Sequence, residues 1–166
     1  MKITGEDILN LMYKSIYDDK IIQTIEILGM EQPLIDEQYE KDKEVSILDD
    51  DNSGISLTFE EIEGYTKEGE PCLTIASIKN INNNELPYNL NFNDNYNQCV
   101  EKLGKKADFV NKRLRKSKIW LIKLDNNLSC TMSINFKNSE FEEIKNIVLV
   151  NFNKNDVGNR LLENKE

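Results

Sequence analysis

The spacing of apolar positions changes period several times along the chain, and each change marks an element. Ile8, Leu11, Met12 and Ile16 fall on one helical stripe, opened by Thr4 as a cap with Glu6 and Asp7 in the first turn. Asp18-Asp19 separates it from a second helix, whose face is Ile21, Ile22, Ile25 and Leu28. Two stretches then alternate with period two, Ile55-Ser56-Leu57-Thr58-Phe59 and Met132-Ser133-Ile134-Asn135-Phe136, the signature of half-buried strands. Further strands are predicted at Val45 to Leu48, Leu73 to Ile78, Lys118 to Leu124 and Ile144 to Val150. Turn formers separate them: Asp49 to Gly54, Asp125-Asn126-Asn127 and Lys137-Asn138-Ser139.

The pattern repeats. Gln23-Thr24-Ile25-Glu26-Ile27-Leu28-Gly29 aligns with Gln98-Cys99-Val100-Glu101-Lys102-Leu103-Gly104 at a spacing of 75, and Leu34-Ile35-Asp36 then aligns with Phe109-Val110-Asn111. Each copy is an amphipathic helix closed by Leu-Gly, where glycine takes the left-handed position past the helix end. The two alternating strands stand 77 residues apart. The expected fold is α+β: two tandem helix–β–β–β units forming an antiparallel sheet, with helices on one face and an extra N-terminal helix. One compact domain is expected, with a first unit over 1–84, a second over 85–152 and a polar tail over 153–166 that carries at most a helical turn at Leu161-Leu162.

Length and composition fit that picture. The chain has 166 residues, 39% of them hydrophobic and 31% charged. No apolar run approaches the roughly 20 residues of a membrane span, and the polar N-terminus is unlike a secretory signal. Three widely spaced cysteines, Cys72, Cys99 and Cys130, argue against a disulfide framework and for a reducing, cytoplasmic setting. There is no histidine, which excludes Ser-His-Asp triads, Cys-His dyads and histidine-containing zinc sites. The net charge of −9 is unevenly spread: residues 1–85 carry 20 acidic and 7 basic side chains, residues 86–166 carry 10 and 14. An acidic half repels nucleic acid and anionic lipid and steers a basic partner, although solvated surface alone accounts for such charge equally well.

Each candidate chemistry has a plainer counterpart. Asp49 to Glu60 places oxygens at positions 1, 3, 5 and 12 and Gly54 at position 6 of a calcium-loop pattern. Position 8 is Ser56, however, and Ile55, Leu57 and Phe59 alternate as a strand, so an acidic strand–turn–strand without metal is the preferred reading. The basic positions Lys105, Lys106, Lys112, Arg113, Arg115, Lys116 and Lys118, near Phe109 and Trp120, read as a nucleic-acid patch, as a solvated helix exit and strand edge, or as an internal contact with the acidic half; the acidic balance favours the second. The cysteines sit in apolar patterns and read as buried small hydrophobes. Trp120 shares a strand face with Ile122 and Leu124, which points to the core. Adjacent carboxylates such as Glu60-Glu61 and Glu142-Glu143 are unremarkable among 30 acids, and no glycine-rich phosphate loop is present. The expectation is a protein that is not an enzyme and needs no cofactor.

Three stretches carry a resemblance. Glu85-Leu86-Pro87-Tyr88-Asn89-Leu90-Asn91-Phe92, followed by a helix ending Lys102-Leu103-Gly104, and Ser53-Gly54-Ile55-Ser56-Leu57-Thr58-Phe59 are similar to motifs of bacterial immunity proteins encoded beside polymorphic and contact-dependent-inhibition toxins. The tandem layout over residues 20–152 also resembles the BamE/SmpA-like fold and the doubled arrangement of the beta-lactamase inhibitor protein. The family's proline after Leu-Gly is displaced to Pro33 in the first unit and replaced by Asp108 in the second. The resemblance implies a cytoplasmic protein that binds the C-terminal domain of a cognate toxin, expected to be a nuclease, and blocks its active site. The family fixes no binding residues, so the candidates come from charge: Asp49, Asp50, Asp51, Glu60, Glu61 and Glu63, with Glu68 and Glu70 on the adjoining loop. Neither nucleic acid nor membrane is an expected partner, and the protein itself is expected to be a monomer or weak homodimer. The alternatives are a calcium-responsive module built on residues 49–60 and a structural adaptor or homodimeric binding module.

Overall fold

The computed structural model describes residues 1–49, 51–125, 127–152 and 160–165. It is α+β. Four short helices, α1 (Gly5–Leu11), α2 (Asp19–Ile27), α3 (Glu37–Asp42) and α4 (Tyr96–Leu103), accompany one antiparallel sheet. Its strands are β1 (Glu44–Asp49), β2 (Ile55–Glu60), β3 (Cys72–Lys79), β4 (Phe109–Asn111), β5 (Ser117–Lys123), β6 (Ser129–Phe136), β7 (Ile144–Asn151) and β8 (Leu161–Glu163). Across the sheet they run β1-β2-β3-β7-β6-β5-β4-β8. β1 to β3 pair in sequence order and so do β4 to β7, β8 returns to the outer edge of β4, and the two halves of the chain meet where β3 pairs with β7, from Ile75 opposite Val150 to Lys79 opposite Asn146.

Local signals place the helices. The Thr4 hydroxyl accepts from the Asp7 amide at 3.2 Å while the Asp7 carboxylate accepts from the Thr4 amide at 2.8 Å, and Asn95 with Gln98 repeats this reciprocal cap on α4. Gly29 and Gly104 both adopt positive φ, +69° and +73°, so each Leu-Gly closes its helix as the sequence predicts. The first helix is shorter than its stripe suggests. Tyr13 turns to φ +67°, and residues 13–16 instead run alongside β3, with Tyr13 N donating to Leu73 O (2.8 Å) and Ile16 N to Pro71 O (2.9 Å). Gly5 lies directly on the Leu86-Pro87 backbone, where a Cβ would come within 2.3 Å of Pro87 N.

The core lies between the helices and one face of the sheet. Ile8, Leu9 and Leu11 from α1, Ile21 and Ile25 from α2 and Cys99 from α4 pack with Leu57, Phe59, Ala76, Ile78, Ile122, Met132, Ile134, Ile147 and Leu149. Trp120 is wholly buried there, its indole N–H donating to Lys105 O at 3.0 Å. The three cysteines are free and buried, and burial pushes the thiols up, Cys72 to about 11 and Cys99 and Cys130 to about 12.

Three segments differ from the sequence reading. Leu34-Ile35-Asp36 and Phe109-Val110-Asn111 align in the repeat, yet Asp36 caps α3 while Phe109–Asn111 form β4. Leu161–Glu163 pair with β4 as a strand rather than forming a helical turn, because β4 offers them an open edge. Lys118, expected in solvent, is 3% exposed on the core face, its Nζ lying 5.1 Å from the Tyr96 ring centre and 4.8 Å from that of Phe141.

Candidate partner-binding surface

The face of the sheet turned away from the helices is broad and uncharged across its middle, with Glu44, Glu60, Lys79 and Lys123 at the strand ends. Register places Ser46, Thr58, Ile75, Val148, Thr131, Ser133, Asn135, Ile119 and Leu121 on it, alternating with the core residues. Its polar groups bond across strands, Ser46 Oγ to Thr58 Oγ1 (2.8 Å), Ser117 Oγ to Ser133 Oγ (2.8 Å) and Asn135 Nδ2 to Asn146 Oδ1 (3.1 Å). Toward β4 and β8 the face is bordered by Asn111, Leu114, Arg160 and Leu161. Ile119 is buried there apart from the main core, beside a cavity of about 250 Å³ that Leu114, Val148, Val150 and Leu161 also line.

The β1–β2 hairpin carries acid at both ends, because β2 separates the carboxylates that are adjacent in sequence. At one end, Asp49 accepts from Asn52 Nδ2 (2.8 Å) and from the Ser53 amide (3.1 Å). These bonds hold its carboxyl below the usual aspartate range. Asp49 therefore shapes the turn, whereas Asp51 is exposed; Asp50 lies outside the described residues. At the other end Glu60 receives the Thr74 hydroxyl, and Glu61 accepts from the Gly69 amide at 2.6 Å, which closes the 61–70 loop. Lys43 sits 3.8 Å from Glu61 and 2.9 Å from Glu40. Glu63, Glu68 and Glu70 stand exposed around this loop. Of the eight predicted positions, Asp49, Glu60 and Glu61 are thus committed to internal hydrogen bonds, and Asp51, Glu63, Glu68 and Glu70 have side chains available to a partner.

The same geometry separates the ends of the calcium-loop pattern. Asp49 is opposite Ile55 and Glu60 opposite Glu44, so the first and last positions stand about 17 Å apart along β2. Calcium ligands must converge to within about 2.6 Å of the ion. Among the described residues no group of three or more histidine, cysteine, aspartate or glutamate side chains is placed to hold a metal.

The charge reading missed α3. Its Glu37 and Glu40 extend the acidic end of the hairpin, and its Tyr39 is buried, with burial and then the neighbouring Glu61 charge pushing the phenol up to about 12. Asp36, whose carboxylate accepts from the Gln38 and Tyr39 amides at 3.0 and 3.1 Å, was the available signal as a helix cap followed by Glu37. The basic stretch lies across the sheet: strand order puts β4 and β5 at the side remote from β1, about 25–30 Å away at the usual strand spacing, so it makes no internal contact with this acid. Lys112, Arg113, Arg115 and Lys116 are exposed there, and Lys105 is held by Asp108 at 2.7 Å.

The chain matches no protein-family model, no curated protein and no solved structure. No helix among the described residues is long and apolar enough to cross a membrane.

Proposed function

We propose that this chain is a cytoplasmic immunity protein that binds the C-terminal domain of a cognate toxin, a nuclease, and neutralises it by covering its active site. The observation that carries the reading is the combination of a broad sheet face, uncharged across its middle, with exposed carboxylates at both ends of the adjoining hairpin. A hydroxyl- and valine-lined face of this kind supports a protein contact of standard size, roughly 1,600 Å² in total. A nuclease keeps its substrate channel basic in order to hold phosphates, and Asp51, Glu63, Glu68 and Glu70 present the complementary charge, which speeds encounter and can occupy phosphate positions. The resemblance of the Glu85–Phe92 and Ser53–Phe59 stretches to toxin-immunity proteins supports the same reading.

The test is co-expression of this chain with the C-terminal toxin domain encoded beside its gene, with growth as the readout. Restored growth together with a stoichiometric complex is the expected result. Toxicity undiminished by the chain would overturn the proposal.

A further inference from the structure

We propose that the free edge of β1 is a docking site for a basic, extended segment of a protein partner, which adds to the sheet as a ninth strand. The Glu61 amide donates to Lys43 O at 3.2 Å, which marks Lys43 and Glu61 as a hydrogen-bonded pair of the β1–β2 ladder. Alternation along an antiparallel strand then turns the N–H and C=O groups of Glu44, Ser46 and Leu48 outward. Among the described residues these groups have no backbone partner. Residues 29–36 pass alongside without pairing and leave a groove of about 690 Å³ between themselves and β1.

The walls of the groove select the occupant. Glu31, Asp36, Glu44 and Asp49 line it, and among the described residues no lysine or arginine does. Leu34 and Leu48, 74% and 75% exposed, stand at its mouth. An extended segment whose side chains alternate between apolar and basic would meet both the leucines and the carboxylates while its backbone completed the ladder. A second copy of this chain is disfavoured, since it would set four carboxylates against four. This site shares with the neutralisation reading only the supposition of a protein partner, and its test uses no toxin.

The probe is a short peptide alternating valine and lysine, followed by amide hydrogen exchange and NMR shifts on the full chain. Expected are slowed exchange at Glu44, Ser46 and Leu48, and affinity at least about tenfold above that of the matching valine–glutamate peptide at low salt. Ser46→Pro removes an outward amide without breaking the β1–β2 ladder, so it should retain the native circular dichroism and lose the peptide. Methylating alternate peptide amides should abolish binding to the unaltered chain, a control that does not depend on the variant folding. Shifts confined to the helix-free face, equal affinity for the two peptides, or slowed exchange at these amides through self-association alone would each overturn the proposal. Failure here leaves growth rescue untouched, and failure of rescue leaves peptide docking intact.

Discussion

If the two halves of the chain fold as one unit through the β3–β7 seam, a cavity in the first half must be felt in the second. Leu57 supplies the perturbation. It is wholly buried in β2, between Ile47 on β1 and Ala76 on β3, and belongs to the shared core. Leu57→Ala removes its side-chain contacts and leaves a void that the flanking strands can only partly fill, which costs about 3–5 kcal/mol. For a domain of this size each kcal/mol lowers the melting temperature by about 2–4 °C, so the expected fall is about 6–20 °C. Trp120, the sole tryptophan, reports from β5, with β3, β7 and β6 between it and β2. Its fluorescence and the far-ultraviolet circular dichroism should melt together in the variant, both shifted by the same amount. A Trp120 transition that stays at the wild-type temperature while the circular dichroism splits into two steps would refute the single cooperative unit.

Other expectations follow from the site. Glu61→Ala should loosen the 61–70 loop and cost about 1.5–3 kcal/mol, because it removes the charged acceptor that holds the Gly69 amide, whereas neutralising Glu63, Glu68 and Glu70 together should leave the urea midpoint nearly unchanged. Asp49 has a depressed pKa in the folded state, so its contribution is complete above the ordinary aspartate value of 3.8 and is lost as pH falls through the lower folded value; Asp49→Asn should flatten the acid limb of a stability–pH profile. Cys72, Cys99 and Cys130 should stay inert to a thiol reagent in the native protein and all react once it is unfolded; a reactive thiol in the native state would contradict their burial. Calcium should leave the melting temperature where a chelator leaves it, since Asp49 and Glu60 sit at opposite ends of the hairpin; an upward shift with calcium would restore the metal-loop alternative.

Elements with a strong local pattern were legible in the sequence. The alternation of Ile55, Leu57 and Phe59 gave both the strand and its buried face, and the two Leu-Gly pairs gave helix ends that the positive φ of Gly29 and Gly104 bear out. Alternation also put Trp120 on the core side of β5, and the same rule places Lys118 there. A lysine in a basic run is nevertheless expected in solvent, and the Tyr96 and Phe141 rings that accommodate Lys118 come from distant elements no local pattern connects to it. α3 is six residues long, too short to show a helical stripe, and β8 became a strand only because β4 leaves an edge beside it. Pairing is non-local by nature: period two reveals which face is buried, not that β3 and β7 are neighbours. For the same reason a run of acids around β2 read as one cluster, although the strand carries its two ends apart and internal hydrogen bonds occupy Asp49, Glu60 and Glu61.

The most direct test of the neutralisation account is a titration of the purified chain into the purified toxin domain, with toxin activity and association rate followed at rising salt. The account predicts complete loss of activity at one equivalent and an association rate that falls steeply with ionic strength, more shallowly once Asp51, Glu63, Glu68 and Glu70 are neutralised. Toxin activity that persists in excess of the chain, or an association rate indifferent to salt and to those four substitutions, would contradict it.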